Sequence, residues 1–381
     1  MTTSAEWRGV ANLALILVAW MTVASLSMWL LPERFRNDYF AALSAAFLFY
    51  IAPLSALLLF AGTLLIYLYM RLPLSGQPSR PLLLVALFST IFLAGREAVA
   101  VIGAAGLEFP GGTDLIALSG IAYYTCRQIH LVLDFWMGRL APMPLRTLLH
   151  YQFFGPVLFV GPIHRIQPFT AQLRERRFDA ERLFSGAERV VLGLVAASVI
   201  GGYFIDYKLR EFLPQADNGF LALWQTSAID WIALYFLFSG YSAVAIGLAA
   251  MAGVRVEENF NRPYLARDLA DFWLRWHMTL SHWCRDYVFK PVLALTRRPG
   301  PAVLAALVVL GLWHELSLYY SLWGVWQALG IVLWRVVMGS GERQEPKPAG
   351  NAGARMVQFV MIFSWLTLAQ PVIHALFGWA L

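Results

Sequence analysis

The sequence predicts an all-α, polytopic integral membrane protein with about nine to eleven transmembrane helices, plus re-entrant or interfacial helices. Three observations carry that expectation. Of the 381 residues, 59% are hydrophobic and only 14% charged, against roughly a quarter charged in a soluble domain whose surface must be wetted. Apolar runs of about 20 residues, long enough to cross a bilayer, recur from one end of the chain to the other. Arginines and lysines gather between those runs, as they do in cytoplasmic loops.

The runs lie at 10–31, 39–70, 81–106, 115–136, 190–204, 220–251, 301–320, 322–338 and 356–381. The first exceeds the apolar core of a signal peptide and lacks a small-x-small cleavage site, so it is expected to be a retained helix. The runs 39–70 and 220–251 are each long enough for one tilted helix or two short ones, and Pro53 is a candidate break in the former. Basic clusters at 71–80, 139–146, 165–189, 255–275 and 290–298 are assigned to the cytoplasm. The less basic stretches 107–112 and 206–219 are assigned to the outside. Residues 147–161 are then flanked by basic segments on both sides and cannot cross, which predicts a re-entrant hairpin or an interfacial helix. The stretch 339–355 reads as a polar loop, and no internal repeat is visible. A single membrane domain over 1–381 is expected.

Net charge is +6. No basic, aromatic-interleaved soluble segment is long enough for a nucleic-acid module, so nucleic acid is excluded as a partner and the lipid bilayer is the expected surroundings. Cys126 and Cys284 are far apart and form neither a CxxC nor a metal-ligand spacing. Both are expected to be packing residues, and no metal site is predicted.

Ionisable residues inside apolar segments are costly, so three groups are candidates for function. Tyr124, Arg127, His130 and Asp134 are spaced by three and four and share one helix face, where a helix-locking polar cluster is the simplest role. Residues 257–291 are amphipathic, rich in tryptophan and arginine and too charged to span; they carry Arg275, His277, His282, Arg285 and Lys290. The third group is Gly311-Leu312-Trp313-His314-Glu315, read as the middle of an apolar span, where a neutral imidazole is available as a base. An HExxH zinc site fails because position 318 is Leu. Gly240-Tyr241-Ser242-Ala243-Val244 lacks the closing glycine of a nucleophile elbow, and no phosphate-binding GxxxxGK[ST] loop occurs.

Several of these segments together resemble the membrane-bound O-acyltransferase family. The resemblance is carried by Gly161-Pro162-Ile163 with Arg165, by Phe238-Ser239-Gly240-Tyr241-Ser242, and by Asn259-Phe260 with Pro263-Tyr264. The block from Asp271 to Phe289 (DFWLRWHMTLSHWCRDYVF) and Gly311-Leu312-Trp313-His314 complete it, and the motifs concentrate in 124–330. Of two bacterial branches, the wording HMTLS and RDYVF and the Tyr319-Tyr320 pair are closer to the D-alanyl transfer protein of teichoic acid modification. The alginate O-acetyltransferase type is the other; it reads Asp where this chain has Ala243. Glu315 departs from both, which leaves acyl group and acceptor open.

The resemblance implies a helical bundle around a central tunnel in the bacterial inner membrane. It implies transfer of an acyl group, D-alanyl favoured and acetyl next, from a cytoplasmic thioester to a hydroxyl of an extracytoplasmic cell-envelope glycan or polymer. His314 would be the general base and His277 would orient the thioester. Arg275, Arg285 and Lys290 would receive the donor, an acyl carrier protein with its phosphopantetheine or acyl-CoA, with no tightly bound cofactor. An extracytoplasmic partner protein is a further expectation. The rival reading is a transporter or flippase for a lipid-linked envelope intermediate, with the histidines as a proton relay.

Overall fold

Helices account for all the regular secondary structure among the described residues. The computed structural model describes residues 4–72, 78–104, 114–212, 219–338 and 352–378. The predicted loop 107–112 and most of the predicted loop 339–355 lie outside them. Among the described residues, three helices are long and apolar enough to cross a membrane, at Ala180–Phe212, Phe220–Met251 and Arg355–Phe377, and four shorter apolar helices accompany them. Leucines such as Leu54, Leu57, Leu82, Leu83 and Leu192 are exposed on these helices. On a protein in water such exposure would be a liability; on a membrane protein it is the lipid-facing surface.

The chain's contacts group into two compact units, Met1–Leu194 with Gly240–Glu257, and Val195–Ser239 with Glu258–Leu381. The first contains α1 (Ser4–Ser27), α2 (Glu33–Ile51), α3 (Pro53–Tyr69), α4 (Ser79–Ala104), α5 (Asp114–Trp136), α6 (Leu145–Gln152), α7 (Ile166–Glu175) and α8 (Ala180–Leu194). The predicted break at Pro53 is present: α2 ends at Ile51, Ala52 is extended with φ −150°, and Pro53 opens α3. A proline has no N–H to lose at a helix start and its fixed φ suits the first turn.

Residues 147–161 do not cross as a helix. They comprise the end of α6, a single tight turn at Gly155–Val157 and an irregular stretch, and Tyr151 to Phe159 are all buried. Buried irregular backbone needs partners, and the α5 cluster supplies them. Arg127, fully buried, donates to the carbonyls of Tyr151 and Gln152, both at 3.3 Å. His130 Nδ1 lies 3.2 Å from Asp134 Oδ2 and 3.0 Å from Arg165 Nη1, and the Ile166 N–H points at its other nitrogen. The Tyr151 hydroxyl donates to the His164 carbonyl at 2.6 Å. The cluster on α5 is thus a brace for the non-spanning segment, as its spacing suggested.

The second unit begins in the helix that continues from α8. Val195–Leu209 is wound as a wider i→i+5 helix and runs into α9 (Arg210–Phe212). The run 220–251 is one unbroken helix, α10 (Phe220–Met251), whose first 20 residues belong to this unit. Next come α11 (Leu269–Arg275), α12 (Met278–Cys284), a wider turn at Arg285–Phe289, α13 (Lys290–Thr296), α14 (Pro299–His314), α15 (Leu318–Met338) and α16 (Ala352–Phe377). Cys126 in the first unit and Cys284 in this one are buried and form no disulfide, in keeping with packing roles.

Candidate active site

The second unit holds a half-open cavity of about 410 Å³, lined from α10, α11, the α11–α12 junction, α14, α15 and α16. That volume falls in the range of small-molecule sites. His277 and His314 both line it, with Trp231, Trp276 and Trp323 among the walls.

His277 is placed by an unusual piece of backbone. Asp268 caps α11 by accepting from the Asp271 N–H at 2.7 Å. The helix stops at Arg275, Trp276 is extended, and His277 takes the left-handed conformation with φ 44° before α12 starts. For a non-glycine residue that conformation carries strain and must be imposed from outside. The Asn259-Phe260 segment imposes it. The Asn259 carbonyl accepts from the Met278 N–H at 2.9 Å, and its side-chain oxygen accepts from the Thr279 hydroxyl at 2.6 Å. The Asn261 N–H donates to the Arg275 carbonyl at 2.9 Å. Phe260 packs edge-on against Trp276 at 5.1 Å and against Phe238, and Phe238 meets the His277 ring at 4.7 Å.

His277 is 3% exposed. It lies between spanning segments, and burial, reinforced by the His314 ring, holds its pKa well below the ordinary value. The neutral form is favoured there, and a neutral imidazole carries one donor nitrogen and one acceptor nitrogen.

His314 corrects the sequence reading. It is not in the middle of a span but is the last residue of α14, and its ring is exposed on the cavity. Hydropathy runs on through 301–320, yet Glu315 is extended with φ −161°, and the Ser317 hydroxyl accepts from the Tyr320 N–H to begin α15. The α14–α15 hairpin closes tightly because Gly311 faces the Tyr320 carbonyl and Gly324 faces that of Leu307; a Cβ at either would collide with it. The hairpin stacks Tyr320 on His314 at 5.6 Å and sets Trp323 edge-on at 5.8 Å. Trp313 joins the two imidazoles, 5.5 Å from His277 and 5.0 Å from His314.

The three basic candidates separate. Arg275 is a brace: its Nε bonds Asp271 at 2.8 Å and its guanidinium reaches the Asn261 carbonyl. Burial pushes the Asp271 carboxyl up, but the Arg275 side chain and the Arg267 N–H outweigh it and hold the carboxyl below its usual range. Arg285 and Lys290 are exposed and both bond Asp286. His282 lies on α12, and none of these four lines the cavity.

Sequence reasoning missed the cavity's other polar residues. Asp230 and Ser227 line it from α10, Tyr319 from α15 and Gln370 from α16. Asp230 is ion-paired with Arg210, whose Nε also bonds Asp206 at 2.8 Å. A lone carboxylate in the run 220–251 is a readable signal for function by the cost of charge in a membrane; its partner, 20 residues back on another helix, is not.

The fold and the cavity define an α-helical membrane protein with two imidazoles converging on an aromatic-walled chamber. The chain belongs to the membrane-bound O-acyltransferase family, which matches residues 138–369 and so takes in both histidines. It is 29% identical over 230 residues to the teichoic acid D-alanyltransferase of Bacillus subtilis, covering 57% of this chain and 58% of that protein. Over 239 residues it is 30% identical to a probable alginate O-acetylase of Pseudomonas aeruginosa, covering 59% of this chain and 44% of the relative. A peptidoglycan O-acetyltransferase of Helicobacter pylori is 29% identical over 189 residues, 48% of this chain and 36% of the relative. The chain thus spans about half the length of the curated relatives it matches.

Proposed function

We propose that this chain is an O-acyltransferase that moves an acyl group, D-alanyl first and acetyl next, from a thioester to a hydroxyl of a cell-envelope polymer. The observation that carries the reading is the convergence of His277 and His314 on one cavity within the family's matched region. In the reaction, the imidazole of His314 takes the proton of the accepting hydroxyl as its oxygen attacks the acyl carbon. The tetrahedral oxyanion is met by a hydrogen bond from the neutral His277 ring. Collapse breaks the C–S bond, and the imidazolium of His314 returns the proton to the departing thiolate. Positioned proton transfer of this kind contributes about 10²–10⁴-fold.

The donor is a cytoplasmic thioester on the phosphopantetheine of an acyl carrier protein, or acyl-CoA. Arg285 and Lys290, exposed on the segment after α12, are the cations placed to receive its acidic surface or phosphate. Arg275, engaged by Asp271, supports them from α11. The acceptor hydroxyl is supplied from the outer face of the inner membrane, where an extracytoplasmic partner protein presents it. The test is transfer from a panel of carrier and coenzyme A thioesters by the purified protein in nanodiscs, followed by mass spectrometry. Charge reversal at Arg285 and Lys290 is expected to raise KM for a carrier-protein donor several-fold at low salt, an effect that shrinks as salt rises; an unchanged KM would remove the docking role. A folded protein inert to every donor and acceptor would move the account to the transporter reading.

A further inference from the structure

We infer that Asp230, held by Arg210, is the specificity-determining residue of the cavity and selects an acyl group that carries an ammonium. The inference rests on the acyl-transfer reading and names the class of acyl group: an α-aminoacyl such as alanyl, in preference to acetyl or hydroxyacyl.

Asp230 is the one residue with a formal negative charge among the described residues that line the cavity, and no arginine or lysine lines it. Arg210 pairs with it but does not neutralise it alone, because the same guanidinium also holds Asp206 at 2.8 Å. One cation between two carboxylates leaves the trio at net −1. The Asp230 carboxylate is partly exposed on the cavity beside walls of tryptophan and leucine, where a ligand cation would be drawn to it. The walls add to this. The indole rings of Trp231, Trp276 and Trp323 line the same space, and tryptophan faces attract ammonium groups. A site for an uncharged acetyl group needs neither the carboxylate nor its arginine. Ser227 and Gln370 offer hydrogen bonds beside it, to the ammonium or to the acceptor hydroxyl.

The test compares D-alanyl with D-lactyl thioesters on the same carrier protein. The two acyl groups differ only in ammonium against hydroxyl and have nearly the same shape; acetyl and propionyl thioesters complete the panel. Wild type, Asp230→Asn, Asp230→Glu, Asp206→Asn and His314→Ala are assayed in nanodiscs, with thermal unfolding as a check of folding. The ratio of kcat/KM for D-alanyl over D-lactyl is expected to be about 10- to 100-fold in the wild type, the worth of one charge-assisted hydrogen bond. Asp230→Asn should collapse that ratio towards one and Asp230→Glu should restore part of it. Asp206→Asn, which lies off the cavity lining, should lower it by removing the uncompensated charge. A ratio that Asp230→Asn leaves unchanged would overturn the inference whatever happens to the absolute rates. A wild type that turns over acetyl as efficiently as D-alanyl, while His314→Ala turns over neither, would overturn the ammonium site and leave the acyl-transfer reading standing. A wild type inert to all four donors would overturn both.

Discussion

Two imidazoles reach one cavity by different means, and the difference sets what each can do. His277 is buried in a left-handed turn, whereas His314 ends a helix with its ring exposed. The exposed ring suits a proton carrier that must meet an acceptor, and the buried one suits a fixed hydrogen-bonding partner. Burial also gives His277 a signature in stability. Its pKa is lowered well below 6.5, as is that of His164, where burial and then the Arg127 charge are the causes. Below pH of about 6.5 the unfolded chain binds protons at both positions that the folded chain excludes, so stability falls as pH drops through that value. Thermal unfolding in detergent should show a falling Tm between about pH 7.5 and 5.5. His277→Asn should flatten part of that slope, and a wild-type Tm indifferent to acid would contradict the buried neutral imidazole. Both histidines were legible in the sequence through their motifs. Neither the positive φ of His277 nor the helix end at His314 was, since both depend on residues elsewhere, namely Asn259 and Ser317.

At the scale of elements, the α11–α12 junction is a strained turn kept in place by residues 259–261. Asn259 is fully buried and bonds the α12 side of the turn at Met278 and Thr279, while Asn261 bonds the α11 side at Arg275. Asn259→Ala should cost about 1–3 kcal/mol by removing the acceptor of the Thr279 hydroxyl. It should also lower kcat/KM more than its stability cost explains, because His277 loses its fixed orientation. Thr279→Val combined with it in a double-mutant cycle isolates the pair; strictly additive losses would remove the coupling. The Asn-Phe motif and the histidine block stand apart in the sequence, and their docking is tertiary information. Other elements were readable: the start of α3 at Pro53 follows from proline chemistry alone, and the failure of 147–161 to cross follows from its basic flanks. The buried Arg127 that makes that segment affordable was visible as one face of α5.

For the whole molecule, exposed leucines on apolar helices and charged segments between them describe a protein solvated by lipid. The distribution of arginine and lysine predicts an orientation, with 255–275 and 290–298 inside and 206–219 outside. Single cysteines test this, and the two native thiols are buried and so give a low background. Arg285→Cys should react with an impermeant maleimide only in inside-out vesicles, and Glu211→Cys only from the outer face. Labelling of both from one side would reverse the topology on which a cytoplasmic donor and an external acceptor depend. The boundary between the two compact units, falling within the helix 180–212 and within α10, had no counterpart in the sequence, because neither helix is interrupted there.

The most direct test is a single-turnover reaction of wild type and His314→Ala in nanodiscs, with an acyl-loaded carrier protein and a hydroxyl acceptor. Free thiol and acyl ester are followed together. The account predicts stoichiometric ester and thiol from the wild type and a loss of about 10²–10⁴-fold in His314→Ala. The variant's Tm should be little changed, since the ring is exposed. Ester formation by folded His314→Ala at the wild-type rate would contradict the assignment of His314 as the base.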